Sequence, residues 1–219
     1  MKLNSKIQRF FGLACTCVLA VAISLGVTGC GNNDKQVIQE GLEDVLDTFK
    51  NPTVKSIKKA MTKAGATKDE IEYLDSSFAA IEQIGIVPDD LFHYLFLDFD
   101  YKIGDIEVNG DKATAKLSVT TKDFEAATKA FQTELSSDSI KDEMTNIYSK
   151  SGNDTTALYK FVFEKLYACI EKADTKTQDI TLDLKKNSKD KWDFEAKSMN
   201  DFNNTLFGGM NKMGTALQQ

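Results

Sequence analysis

The side chains best suited to chemistry are few: four cysteines, one histidine, and a carboxylate pair at Asp98 and Asp100. A thiol nucleophile needs a base beside it, and here that pair would have to join Cys169 to His93. Cys169 stands in Leu166-Tyr167-Ala168-Cys169-Ile170, apolar surroundings in which a free cysteine packs as a small hydrophobe. His93, within Leu91-Phe92-His93-Tyr94-Leu95, reads either as a helix-surface residue or as a pocket acid or base. Zinc takes three or four N, S or O ligands, which one histidine and one free thiol do not supply. Asp98 and Asp100 fall on one face of an expected strand, about 7 Å apart by its rise. Such a pair could share a proton or a calcium ion; without a D-x-D-x-D-G run, the plainer reading is a solvated strand face. No G-x-S-x-G occurs. These residues imply no catalytic centre, no metal site and no cofactor.

Binding is the other chemistry to weigh. Tyr101, Tyr167, Trp192 and Phe194 would line a concavity if a bent sheet carried helices over it. Trp192 reads equally as plain core. Lys55, Lys59 and Lys63 recur at i, i+4 and i+8 with Lys58 beside them. That stripe is either the wet side of an amphipathic helix or a contact for anionic lipid or cell-wall polymer. Lys185, Lys186, Lys189 and Lys191 read as guards against edge-to-edge strand pairing.

The elements that must position these residues follow from periodicity. Val37, Ile38, Leu42, Val45, Leu46 and Phe49 keep helical spacing and stop at Asn51-Pro52. A second helix turns Val54, Ile57, Met61 and Ala64 inward and ends at Gly65. Thr67-Lys68-Asp69-Glu70 fits a capping box opening a third helix, closed at Gly85. Pro88-Asp89-Asp90 starts a short fourth. The period then drops to 2, and Asn109-Gly110 joins two alternating runs as a hairpin. Phe99, Tyr101 and Ile103 are odd-numbered while Ile106 and Val108 are even, so a β-bulge is expected at Gly104-Asp105. Helices are expected over 124–135, 140–148 and 156–172, then a second hairpin with Ile180, Leu182 and Leu184 inward before Trp192, Phe194 and Ala196. Asp201–Leu206 reads as a brief helix before a flexible tail at 208–219. Helices grouped around two antiparallel hairpins make the fold class α+β. The expected form is a curved antiparallel sheet of about four strands with helices on one face.

Lys2, Lys6 and Arg9 give the chain a positive start, no acid occurs before Asp34, and residues 10–27 are apolar or small. This is the pattern of an export signal; about 20 apolar residues span a bilayer, so an uncleaved anchor is the competing reading. Val27-Thr28-Gly29-Cys30 resembles the lipobox of bacterial lipoproteins. The resemblance implies a signal peptide at 1–29, cleavage before Cys30, and a lipid on the Cys30 thiol. A tether at 30–35 and a single domain at 36–207 would follow. Two or more acyl chains anchor stably where one does not. Loss of Lys2, Lys6 and Arg9 would take the formal charge from −6 to −9 and remove the only arginine. A mature chain of that charge without an arginine fork is ill-suited to nucleic acid. Only Cys169 would remain as a free thiol, so no intramolecular disulfide is expected.

The stretch FDYKIGDIEVNGDKATAKLSVTTKDF together with KWDFEA resembles small bacterial lipoproteins of unknown function with cystatin-like or nuclear-transport-factor-2-like domains. There, helices lead into a long bent hairpin and a final strand carries a Lys-Trp pair, here Lys191-Trp192. The resemblance implies fold alone and transfers no catalytic residue. The expected function is a non-catalytic binding or interaction module held by lipid on the extracytoplasmic face of the cell membrane. The alternative is a pocket protein for an apolar or peptide-like ligand. Expected partners are the membrane itself and an extracytoplasmic protein or small ligand.

Overall fold

A computed structural model describes residues 24–28, 33–63, 66–152 and 154–216, with side chains at 33–63, 66–152 and 154–206. Cys30, the signal before Ser24, Ala64 and Gly65 lie outside the described residues. Among the described residues, eight helices and an open antiparallel sheet make the fold α+β. In chain order the elements are β1 (Ser24–Thr28), α1 (Asp34–Lys50), α2 (Val54–Lys63), α3 (Lys68–Gln83) and α4 (Pro88–Leu95). Next come β2 (Asp100–Asn109), β3 (Lys112–Lys122), α5 (Phe124–Ser136), α6 (Asp138–Lys150) and α7 (Thr155–Lys172). The chain closes with β4 (Thr175–Lys186), β5 (Lys191–Phe194) and α8 (Ala196–Ala216).

The sheet runs β1-β5-β4-β3-β2. Its two expected hairpins supply four strands, and Ser24–Thr28 pairs along β5 as a further edge. Alternation sets which face is buried. Ala113, Ala115, Leu117 and Val119 of β3 and Leu182 and Leu184 of β4 all point into the core. Lys116, Asp179 and Thr181 stand exposed on the other face. The ladder between β2 and β3 shifts between Ile103 and Ile106, which is the expected bulge at Gly104-Asp105. Gly104 suits the close approach there, since a Cβ would lie 3.2 Å from Lys116 Cβ and push it by a few tenths of an ångström. Gly110 turns the hairpin with φ 63°, a conformation glycine enters without strain.

The helices start and stop for local reasons. Thr67 Oγ1 accepts from Glu70 N while Glu70 Oε2 accepts from Thr67 N at 2.7 Å, so the capping box is complete. At the far end of α3, Gly85 takes φ 81°, and Gly85 N and Ile86 N donate to Glu82 O and Ile81 O. Those two bonds close the helix with the left-handed cap that favours glycine. Asp123, Ser137 and Asp154 cap α5, α6 and α7 with side-chain oxygens.

Four readings of the chain need correction. Asp34 and Lys35 belong to α1 rather than to a tether, because the Asp34 carboxylate suits a helix N-terminus and is itself bonded to the sheet. The last helix is not brief: it spans Ala196–Ala216, through Gly208-Gly209, and buries Phe202 and Leu206. Lys191 does not stand free as a guard on an open edge: it is half-buried, with β1 alongside it. Asp98 and Asp100 do not share a strand face. Asp98 precedes β2 with φ 57° and pairs with Lys122 at 2.8 Å, while Asp100 pairs with Lys50 at 3.2 Å.

Lys122 was not flagged by its sequence surroundings, yet its side chain is 8% exposed. Its Nζ donates to Glu171 O at 3.1 Å and Ala173 O at 2.9 Å, satisfying carbonyls left open at the end of α7. Lys122→Met keeps the buried stem but removes the donor. It should lose about 2 kcal/mol, within the usual cost of stranding buried acceptors. Urea unfolding followed by circular dichroism measures this, and a loss below about 0.5 kcal/mol would mean water replaces the ammonium freely.

Candidate functional site

Four residues after Cys30 in the chain, Asp34 ties the start of α1 to the sheet. As the first residue of α1, it presents its carboxylate to the β4–β5 hairpin. Oδ1 accepts from Trp192 Nε1 at 3.3 Å and Oδ2 from Lys186 Nζ at 3.1 Å. The Lys186 ammonium lies 5.1 Å from the Trp192 ring centroid and 3.5 Å from Asp190 Oδ1. The hydrogen bond to Asp34, opposed by burial, holds the Lys186 pKa above its ordinary value. Lys186 therefore keeps its charge over the face of the indole. Asn187 Oδ1 accepts from Lys189 N and Lys191 N, which shapes the turn between the strands.

The four aromatics expected to line one concavity occupy separate packing sites. Tyr101 donates to Asp47 Oδ1 at 2.7 Å and sits under Lys50. Burial, then that hydrogen bond, lifts its phenol well above the usual tyrosine range. Trp192 meets Asp34, which is 13 residues before Asp47 on α1, or about 20 Å away by helix rise. Tyr167 stacks on Tyr94 with centroids 4.1 Å apart, and its buried hydroxyl has no partner among the described residues. Burial leads the causes that push its phenol upward. Phe194 stacks on Phe202 at 6.2 Å. A sequence shows that these rings face inward; it does not show that they face different neighbours.

No protein-family model, no curated protein and no solved structure matches the chain. Its residues alone must carry the functional reading.

The nucleophile and base candidates lie apart in kind. Cys169 is buried, and its Sγ approaches Glu134 Oε2 at 3.4 Å. Burial, then that carboxylate, pushes the thiol up to about 11, so it is protonated and a poor nucleophile at neutral pH. His93 is exposed on α4, with its ring edge-on to Tyr94 at 5.1 Å. Among the described residues, no three His, Cys, Asp or Glu side chains converge as metal ligands. Among those residues too, no helix is long and apolar enough to cross a membrane.

The outer face of the sheet carries a shallow groove of about 500 Å³ at the bulge, bordered by Lys102, Asp105, Lys116, Ser118 and Asp179. Its polar groups are engaged with one another. Lys116 pairs with Asp105 at 3.2 Å, and Ser118 donates to Asp179 at 2.5 Å. On α2, Lys58 pairs with Asp75 and Lys63 with Asp44. One member of that lysine stripe, and the lysine beside it, are thus tied to neighbouring helices.

Proposed function

We propose that this protein is a lipid-anchored, extracytoplasmic binding or interaction module that performs no catalysis. The observation that carries the reading is the Val27-Thr28-Gly29-Cys30 sequence ending an apolar run, four residues before the folded domain begins at Asp34. An acylated Cys30 would hold that domain against the membrane. Supporting the lack of catalysis, Cys169 is a protonated buried thiol, and Asp98 and Asp100 are each matched to a different lysine. The resemblance to small cystatin-like lipoproteins agrees with a module that works by its surface.

The test is Cys30→Ala in the producing cell. Metabolic labelling with an alkyne fatty acid should mark the wild-type chain and leave the variant unmarked and uncleaved, displaced from the lipid-anchored membrane fraction. Equal labelling and unchanged processing in the variant would overturn the anchor. Cleavage before Cys30 would also remove β1. The processed chain should then show β5 amide protons exchanging faster than in the unprocessed variant, since β1 pairs along β5.

A further inference from the structure

We propose that the β4–β5 hairpin end of the sheet is the surface that faces the bilayer, with Lys112, Lys185, Lys189 and Lys191 meeting anionic lipid headgroups. The inference rests on the anchored reading above and adds to it an orientation and a lipid chemistry.

Two contacts of this hairpin flank Cys30 in the chain, and the second survives cleavage before it. Thr28, two residues before it, is the sheet partner of Lys191. Asp34, four residues after it, is bonded to Lys186 and Trp192 of the same hairpin. Four residues reach at most about 14 Å, so an acylated Cys30 keeps the hairpin within that distance of its membrane insertion point. In the processed chain β1 would be gone, and Lys191 would lose the strand beside it.

Lysines are concentrated at this end. Lys186 N donates to Asp111 O at 2.8 Å, which brings the β2–β3 turn and the β4–β5 turn to one edge. Gathered there are Lys35, Lys112, Lys185, Lys186, Lys189 and Lys191 against Asp34, Asp111, Asp190 and Asp193. Asp34 is taken by Lys186 and Trp192, and Asp193 Oδ2 by Asn187 Nδ2 at 2.9 Å. Lys112 and Lys185 are direct cross-strand partners, a like-charge pair that repels, while Asp193 lies across from Lys185 on its other side. Neither lysine makes an ion pair with another described residue. Glu107, Asp183 and Glu195 line the same groove as Lys112. A negative domain can still meet an anionic surface through lysines concentrated at one end. Screening at physiological salt confines the interaction to charges within about 8 Å, and those are the hairpin lysines.

The competing orientation would use Lys55 and Lys59 on α2, so the experiment compares the two sites. The processed, lipidated protein is reconstituted in vesicles of phosphatidylcholine alone or with 30% phosphatidylglycerol. Brief acetylation with an amine reagent is then read lysine by lysine by mass spectrometry. Phosphatidylglycerol should slow modification of Lys112, Lys185 and Lys189 by about threefold or more and leave Lys55 and Lys59 unchanged. The triple variant Lys112→Gln, Lys185→Gln, Lys189→Gln should fold as the wild type, since all three side chains are exposed. In it, protection of Lys191 by phosphatidylglycerol should disappear. Equal modification of the hairpin lysines in both vesicles, or protection at Lys55 and Lys59 instead, overturns the orientation while the anchor stands. A peptide bearing residue 30 without lipid overturns the anchor, and the orientation falls with it.

Discussion

Trp192→Ala should lower the unfolding free energy by about 3–5 kcal/mol, the usual loss when a buried aromatic is truncated. The indole is fully buried, the largest side chain in that state. Its removal leaves a cavity between β5 and α1 and takes a donor from Asp34, whose Oδ1 it meets at 3.3 Å. Trp192→Phe separates the two contributions. It keeps most of the ring volume and gives up the hydrogen bond, worth about 1 kcal/mol net, or somewhat more to a charged acceptor. Trp192 is the only tryptophan, so the variants must be compared by far-ultraviolet circular dichroism in urea rather than by emission. A loss under about 1 kcal/mol for the alanine variant would place the indole at the surface and undo the account of how α1 meets the sheet.

Leu117→Ala should cost about 2–5 kcal/mol, and its neighbour Lys116→Ala close to nothing. Leu117 is buried at the centre of β3, between Ile103 of β2 and Ile180 of β4. Lys116 points the other way, and its ion pair with Asp105 is an exposed contact, a kind worth at most about 1 kcal/mol. The contrast between adjacent positions tests register directly, because a slip of one residue exchanges the faces of the strand. Comparable losses at both positions would show that the strand is set one residue off.

What could be read ahead of the structure was whatever depends on near neighbours in the chain. The Asn109-Gly110 turn, the Thr67–Glu70 capping box and the phase slip at Gly104-Asp105 are local patterns with local causes, and each appears where the spacing puts it. The apolar helix around Cys169 likewise announces a buried thiol. The errors share the opposite character. Asp98 looks like a strand residue until Lys122, 24 positions on, draws its carboxylate away from Asp100. Lys122 itself is buried by the end of α7, some 50 residues distant. The four aromatics were correctly turned inward, but alternation gives a face and never a neighbour, so their separation along α1, α4 and α8 was invisible. The extent of α8 was missed because Gly208-Gly209 is a poor helical pair, whereas packing of Phe202 and Leu206 favours the helix before it.

The place where β3 ends and β4 begins has a consequence for how the chain could change length. Lys122 and Thr175 are the last partners of that ladder, and Asp123 N donates to Asp174 O at 2.8 Å just beyond them. Residues 123–174 therefore depart and return at one point, as the connection of an antiparallel pair whose simplest connection is two residues long. In chain statistics, closing some 50 residues instead of two costs only about 3 kcal/mol, and doubling the excursion again would add about 0.6 kcal/mol. The sheet thus constrains the ends of this segment far more tightly than its length. Insertions or deletions at its turns, such as Gly152 with φ 66°, meet almost no resistance from closure. Lys122, clasping the departing strand to the returning helix, marks the position where the same change would be felt at once.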